Sequence, residues 1–535
     1  MTAPIVAEPW PAGCISVIRG SVFGTHLKLM RWFVGIVGGT LIVLVIALHL
    51  LSRAPILQQK LIATLNDNMD ADVELQSFDV RAFPNLRIHG DNLKLRLKNQ
   101  QNVSPFIEVR HFDVAGGVLG LLRHQRRFTS VELDGLVITV PPRTPNDKEA
   151  GGKAAGTVTG PVLIEHIVAS DAKLVIVPSN PHKDPKVWAI HHLEMESVGF
   201  NRSMPFVATL TNPIPSGEIA TKGTFGPWVK GDPGMTPVSG HYSFDRADLG
   251  TIDGIGGILK STGEFSGRLQ EIDVKGHTST PDFRLDVGGT PVPLETDFHA
   301  VVDGTNGNTY LKQVNAKLQD TPIDASGAVE SHPGVHGRTV NVSVTIKDGK
   351  IQDVLKLAIT SAKPVMLGRL GLQAKLLLPP GKKKVVDRLE LDGHFTLHQT
   401  HFTDPDVHGQ LVTLSRHAQG KKPEEPMGKI ESEMEGKFVL RDGALRLDPF
   451  SFSLPGATVQ LSGVYGLRSQ QVDFAGKFAM DAPVSKAIGG GIKGILLKPF
   501  DPIFRKDGKG TVVPITIQGP REHPKFGVEW KKVLK

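Results

Sequence analysis

The sequence predicts a mainly β protein: an N-terminal transmembrane helix followed by a long, curled antiparallel sheet, an open β-groove with a few short helices. Three observations carry this. Apolar and polar residues alternate over stretch after stretch, the mark of strands with one wet and one dry face. Gly 58 and Pro 38 together make about 18% of the 535 residues, which favours turns over long helices. And one continuous apolar span near the N-terminus is free of charge.

That span is Trp32 to Leu51, WFVGIVGGTLIVLVIALHLL, with no Asp, Glu, Lys or Arg. As a helix it is about 30 Å long, the thickness of a bilayer core. Arg19, Lys28 and Arg31 precede it against a lone Glu8, while Asp67, Asp70 and Asp72 lie beyond it. The excess of basic residues on the near side places residues 1–31 in the cytoplasm and the bulk of the chain outside, behind a single-pass anchor. Ser52-Arg53-Ala54-Pro55 is a poor cleavage site, so the span reads as an anchor and not as a removable signal. Cys14, ahead of the anchor, is the one cysteine, so the body needs neither disulfides nor thiol chemistry.

Beyond the anchor, Pro55–Leu65 has helical spacing, and then alternation begins. Val73 and Leu75, Phe78 and Val80, Leu86 and Ile88, and Leu93, Leu95 and Leu97 lead it. The same grammar returns in Val131–Val140, Val162–Val177, Val340–Ile346, Leu389–Leu397, Lys437–Gly466, Gln471–Met480 and Gly510–Gln518. Asp-Gly recurs at Asp134, Asp303, Asp348, Asp392, Asp442 and Asp507, the dipeptide preferred in two-residue hairpins. Asp448-Pro449 and Pro455-Gly456 read as further turns. The tetrads SGEI, SGRL, SGAV, EGKF, SGVY and AGKF form a degenerate repeat in which Gly marks a bend in a strand. Helices are expected at Val114–Leu122, Ile351–Ile359 and Val484–Leu497. Linkers are expected at Asn146–Gly160 and Gly420–Lys429. The resulting organisation is 1–31, the anchor 32–51, an N-terminal β region 52–145, a middle β region 161–380 and a C-terminal region 385–535.

Net charge is +7, but only Lys382-Lys383-Lys384 forms a basic run, and three Tyr and five Trp are too few to stack bases. A nucleic-acid partner is therefore not expected. The chain has no nucleophile elbow, Walker loop, dinucleotide fingerprint or His-Glu-x-x-His motif, so no enzyme, catalytic residue or cofactor is expected. His394, His398, His401 and His408 cluster in sequence, and Asp404 and Asp406 around Pro405 read as a turn. His191 and His192 lie close to Glu194 and Glu196. Neither set has zinc spacing, and both read as solvated strand histidines, with no metal.

Patterning leaves open what covers the dry face. Two stacked sheets would give closed sandwiches; one curled sheet would leave a trough for something as apolar as leucine, such as an acyl chain. About half the exported residues in strands would make about 25–30 strands, a stack of about 120–145 Å.

Residues 70–98, DADVELQSFDVRAFPNLRIHGDNLKLRLK, with their Phe83-Pro84 break after an anchor, resemble the N-terminus of AsmA-family proteins. Residues 391–480 resemble the AsmA-like C-terminal region, and 496–528, LLKPFDPIFRKDGKGTVVPITIQGPREHPKFGV, resemble its closing pattern. The likeness covers about a third of the chain, at its two ends. It implies an inner-membrane protein projecting into the periplasm, related to bridge-like lipid-transfer proteins. Its apolar β-groove would bind phospholipid, help move it between inner and outer membranes and support outer-membrane homeostasis. The outer membrane or an envelope protein would be a partner. On that reading the groove is lined by Phe450, Phe452, Leu454, Val459, Leu461, Phe474 and Phe478. Ile488, Ile492, Lys493, Ile495 and Leu496, an apolar face flanked by lysines, would meet a membrane surface or the groove mouth. The competing reading is a scaffold of closed sandwiches that assists outer-membrane protein or envelope assembly.

Overall fold

The computed structural model describes residues 71–81, 85–97, 105–117, 126–140, 162–177, 185–199, 201–229, 232–286, 288–332, 335, 337–421, 430–482, 511–520 and 525–528. Nearly all of them belong to one sheet, built by adding each new strand beside the last. Strands β1 (Ala71–Glu74) and β2 (Ser77–Arg81) share the first rung against β3 (Leu86–Leu97). Next comes β4 (Ile107–Gly116), and then β5 (Arg126–Asp134) and β6 (Val137–Val140) share a rung, broken at Gly135. The sheet continues through β7 (Val162–Ile176), β8 (Lys186–Val198), β9 (Met204–Pro213), β10 (Ser216–Phe225) and β11 (Pro237–Asp248). The short β12 (Ile255–Gly256) shares a rung with β13 (Ile258–Arg268), both against β14 (Glu271–Leu285).

Hairpins then follow one another: β15 (Gly288–Val302), β16 (Thr309–Leu318), β17 (Thr321–Glu330) and β18 (Thr339–Lys350). After them come β19 (Met366–Leu378), β20 (Glu390–Phe402), β21 (Ser432–Arg441) and β22 (Ala444–Leu454). The series ends with β23 (Ala457–Gly466), β24 (Gln471–Met480), β25 (Thr511–Pro520) and β26 (Lys525–Val528). Among the described residues the pairing is antiparallel throughout, except that β5 and β6 meet β7 in parallel. The first rung does not pair with the last, so the sheet is open. With three shared rungs the 26 strands make 23 rungs. At about 4.8 Å each, that is a contour of about 105 Å, shorter than strand number alone suggests.

Among the described residues three α-helices interrupt the ribbon: α1 (Ile351–Lys356), α2 (Val385–Arg388) and α3 (Pro405–Ala418). The first falls where helical spacing predicts it. The third replaces an expected turn, because Pro405 occupies the first helical position, where its missing N–H costs nothing. At Val114–Leu122 the expected helix is not seen in the described part, for Val114–Gly116 complete β4.

The turn signals divide by position. Asp442-Gly443 is a two-residue hairpin with φ of 50° and 71°, and Pro455-Gly456 closes another with φ 85° at the glycine. The other described Asp-Gly pairs do different work. Asp134-Gly135 breaks one strand into two, Asp303-Gly304 opens a longer loop, and Asp348-Gly349 lies in a bulge of β18. Asp392-Gly393 sits inside β20. Asp448-Pro449 is likewise no turn, since β22 runs straight through it with a bulge between Leu447 and Phe450. The anchor span, the Asn146–Gly160 linker and Val484–Leu497 lie outside the described residues, as does most of Gly420–Lys429. No helix among the described residues is long and apolar enough to cross a membrane.

Candidate functional site

Register decides which side chains share a face, since direct antiparallel partners point the same way. Met434, Phe452, Val459, Phe478 and Val513 are consecutive partners across β21 to β25. The next row is Gly436, Phe450, Leu461, Gly476 and Ile515, and the one beyond it is Phe438, Leu447, Gly463, Phe474 and Ile517. All seven residues expected to line a groove therefore lie on one face. Going back toward the N-terminus the same face carries Leu397, Leu370, Ile346, Ala325, Val314 and Phe298. Further on it carries Phe206, Met195, Ile167 and Val131.

No opposing layer seals this face among the described residues. Even the buried leucines and isoleucines keep a few per cent of their surface exposed, and no described side chain larger than Val292 is fully buried. Every phenylalanine whose burial is described remains partly exposed. A closed sandwich would bury its central phenylalanines. The sheet here is open, and the closed alternative is not what the described residues form.

Five of the seven candidates, Phe450, Phe452, Val459, Leu461 and Phe478, line a cavity of about 510 Å³. Met366, Phe402, Met434, Ile515 and Ile517 complete its strand walls, and Leu411 and Leu414 reach it from α3. Every lining residue is apolar. Leu454 is elsewhere: it is buried beside Ala418 and Ala457, where α3 seats on the sheet. Phe474 lies on the same face but lines no part of this cavity; its ring lies over Gly463. Sequence reasoning missed Met366, Phe402, Leu411, Leu414, Met434, Ile515 and Ile517, because only strand order brings 366–434 and 515–517 beside 450–478. The candidates Ile488, Ile492, Lys493, Ile495 and Leu496 lie outside the described residues.

Both longer helices sit at the cavity's side of the sheet. Ile351, Val354 and Leu355 of α1 pack with Ile346, Leu370, Leu397 and Met434. Asp353, 1% exposed, accepts hydrogen bonds from the Thr321 hydroxyl at 2.9 Å and the Asp320 amide at 3.2 Å. For α3, the Ser415 hydroxyl donates to the Pro455 carbonyl at 2.6 Å, Gln419 donates to the same oxygen at 3.0 Å, and the Ala482 amide donates to the Ala418 carbonyl at 2.8 Å. The last turns of α3 are thereby tied to the β22–β23 turn.

The apolar face changes character midway. Thr221, Tyr242 and Gly263 are partners on β10, β11 and β13, and Ser261, Thr278 and Thr296 on β13, β14 and β15. The Tyr242 and Ser261 hydroxyls are 3.1 Å apart, and burial holds the tyrosine above its usual pKa. A hydroxyl-bearing belt thus separates two more apolar stretches.

The glycines of the repeated tetrads, at 217, 267, 327, 436, 463 and 476, all fall on the apolar face by register. At Gly476 a Cβ would come 1.8 Å from the Gln460 carbonyl oxygen, so only glycine admits the neighbouring strand. The opposite face is charged. Arg110 joins Asp134 and Asp171 at 3.0 and 2.7 Å, and Arg369 grips Asp348. His277 lies 2.8 Å from Asp297 and 3.0 Å from Glu295. Of the His394 to His408 set, His398 hydrogen-bonds Glu433, and the four do not converge on a common point.

Compared with known protein families, with curated proteins and with solved structures, the chain matches none. The AsmA resemblance therefore stands on the residues quoted above.

Proposed function

We propose that this chain is an inner-membrane-anchored periplasmic protein whose apolar face binds phospholipid acyl chains and helps transfer them between inner and outer membranes. The observation that supports this best is one apolar face carried through the register of a single open sheet, with its phenylalanines left partly exposed. A protein interior leaves such surface uncovered only at a cost of about 25 cal/mol per Å², so a broad unsealed apolar face asks for a partner as apolar as itself. Glycines at close strand approaches let the ribbon curl toward this face and form a groove. Acyl chains lying in it recover about 0.8 kcal/mol per methylene withdrawn from water, and a strip that is apolar on both sides of the hydroxyl-bearing belt lets them move without any residue performing chemistry. Transfer on this reading is diffusion along the strip.

The test is to purify the full-length chain and analyse its organic extract by mass spectrometry. Photocrosslinking groups placed at Phe452 and Phe478 should capture phospholipid in cells, and groups placed at Lys437 and Lys477 on the opposite face should not. Equal labelling of both faces, or an extract free of phospholipid, would overturn the proposal.

A further inference from the structure

On the charged face, strands β7 and β8 bring together three side chains that have no lysine or arginine partner among the described residues. His166 is the direct cross-strand partner of Glu196, and Glu194, two residues along β8, shares its face. One ligand atom from each residue lies within 4.8 Å of the other two. We propose that His166, Glu194 and Glu196 form a binding site for one divalent transition-metal cation of the zinc type.

The contrast with the other histidines of this face carries the inference. His277, His299 and His111 each touch a carboxylate at 2.6–2.8 Å, so a direct hydrogen bond fills the space an ion would need. His166 makes no such bond among the described residues, and its ligand atom lies within 4.8 Å of those of Glu194 and Glu196 without a hydrogen bond to either. Metal–nitrogen and metal–oxygen bonds of about 2.0–2.2 Å are reached by modest rotations of exposed side chains. Charge points the same way. Among the described residues neither Glu194 nor Glu196 is paired with a lysine or arginine, and the nearest ring is His192, 3.9 Å from Glu194. Two neighbouring carboxylates without a counter-ion repel each other, and a dication between them removes that repulsion. One imidazole with two carboxylates suits zinc better than calcium or magnesium, which favour all-oxygen shells.

The place in the fold gives the ion a role. Strand β7 is the one that meets its predecessors in parallel, after a long connection. A metal clamping β7 to β8 would hold the register immediately beyond that seam. It would do so on the face opposite the apolar one, so its presence is independent of lipid binding.

The test uses the full-length chain, purified without a histidine tag, stripped with EDTA and titrated with zinc chloride against a chromophoric chelator. One zinc per chain is expected, with affinity reduced about tenfold or more in His166→Ala and in Glu196→Gln. His277→Ala should bind as the parent does. Zinc should raise the melting temperature of the parent and leave that of His166→Ala unchanged. All three positions are largely solvent-facing, and circular dichroism verifies that each variant folds. Undiminished binding in His166→Ala, an equal loss in His277→Ala, equally tight binding of magnesium, or no zinc uptake would each overturn the proposal.

Discussion

The ring of Phe474 lies directly over Gly463 on the adjacent strand: a Cβ at Gly463 would sit 2.6 Å from Phe474 Cδ1 and 2.2 Å from the Asp473 carbonyl oxygen. The glycine is a socket for the ring and a passage for the neighbouring backbone. Gly463→Ala should therefore destabilise the protein by about 1–3 kcal/mol, the usual cost of overpacking. Urea unfolding would measure it. Gly409→Ala, with nothing within 4 Å of the added atom, is the matched control and should cost nothing by crowding.

Charge placed on the apolar face should separate binding from folding. Phe452 lines the 510 Å³ cavity and is partly exposed, so Phe452→Asp should fold and lose most of its copurified phospholipid. Leu461, only 7% exposed, is a harsher position. Leu461→Asp should cost several kcal/mol of stability as well, because its carboxylate has no water and no partner. Circular dichroism and lipid extraction on the pair read the two effects separately.

Asp353 anchors α1 through a buried carboxylate. Asp353→Ala leaves the Asp320 amide without its acceptor and the Thr321 hydroxyl with only the longer bond to the Lys350 carbonyl at 3.3 Å, and a loss of about 1–3 kcal/mol is expected. Hydrogen exchange should quicken at Asp320 and through 351–356, while the distant β3–β4 pairing stays protected.

Ser415→Ala removes one of two donors to the Pro455 carbonyl, leaving Gln419 in place. The expected cost is about 0.5–1.5 kcal/mol, confined to α3. Exchange should rise across 405–418 with little change in the global unfolding midpoint.

His277 offers a pH signature. Hydrogen bonding to Asp297, with further help from Glu295, raises its pKa above the ordinary 6.5. A raised folded-state pKa stabilises the fold fully below 6.5, and that stabilisation disappears as pH climbs through the raised value. Removing His277 as His277→Gln should thus reduce stability at pH 5.5 more than at pH 8.5. The difference should stay below about 1 kcal/mol, because the partners face solvent. Urea midpoints at the two pH values check it.

Much of this fold can be read from residues alone, and the exceptions have specific physical causes. Alternation such as Val459, Leu461 and Gly463 gives strand and face, because a period of two admits no other regular structure. It does not give neighbours: Met366 reaches the cavity that Phe452 lines only through the successive registers of β19, β20, β21 and β22. Nor does alternation distinguish a hairpin glycine from a socket glycine. Asp392-Gly393 and Asp442-Gly443 look alike, yet the first lies inside a strand with Phe438 across it, and the second turns the chain. Pro405 misled for a similar reason, since proline both interrupts helices and begins them. The seven expected lining residues share a face, as alternation predicts, while the helical wall from Leu411 and Leu414 carries too short an apolar stripe to declare its target. His166 was invisible beside Glu196 because thirty positions separate them in sequence, and only the β7–β8 register closes that distance.

Each rung of this sheet touches chiefly the rung before it and the rung after. No central core has to be rebuilt when one hairpin is inserted or deleted, so such a chain can be lengthened in steps of about 10 Å. Its span is in effect a tally of hairpins, which evolution or an engineer could adjust one pair of strands at a time.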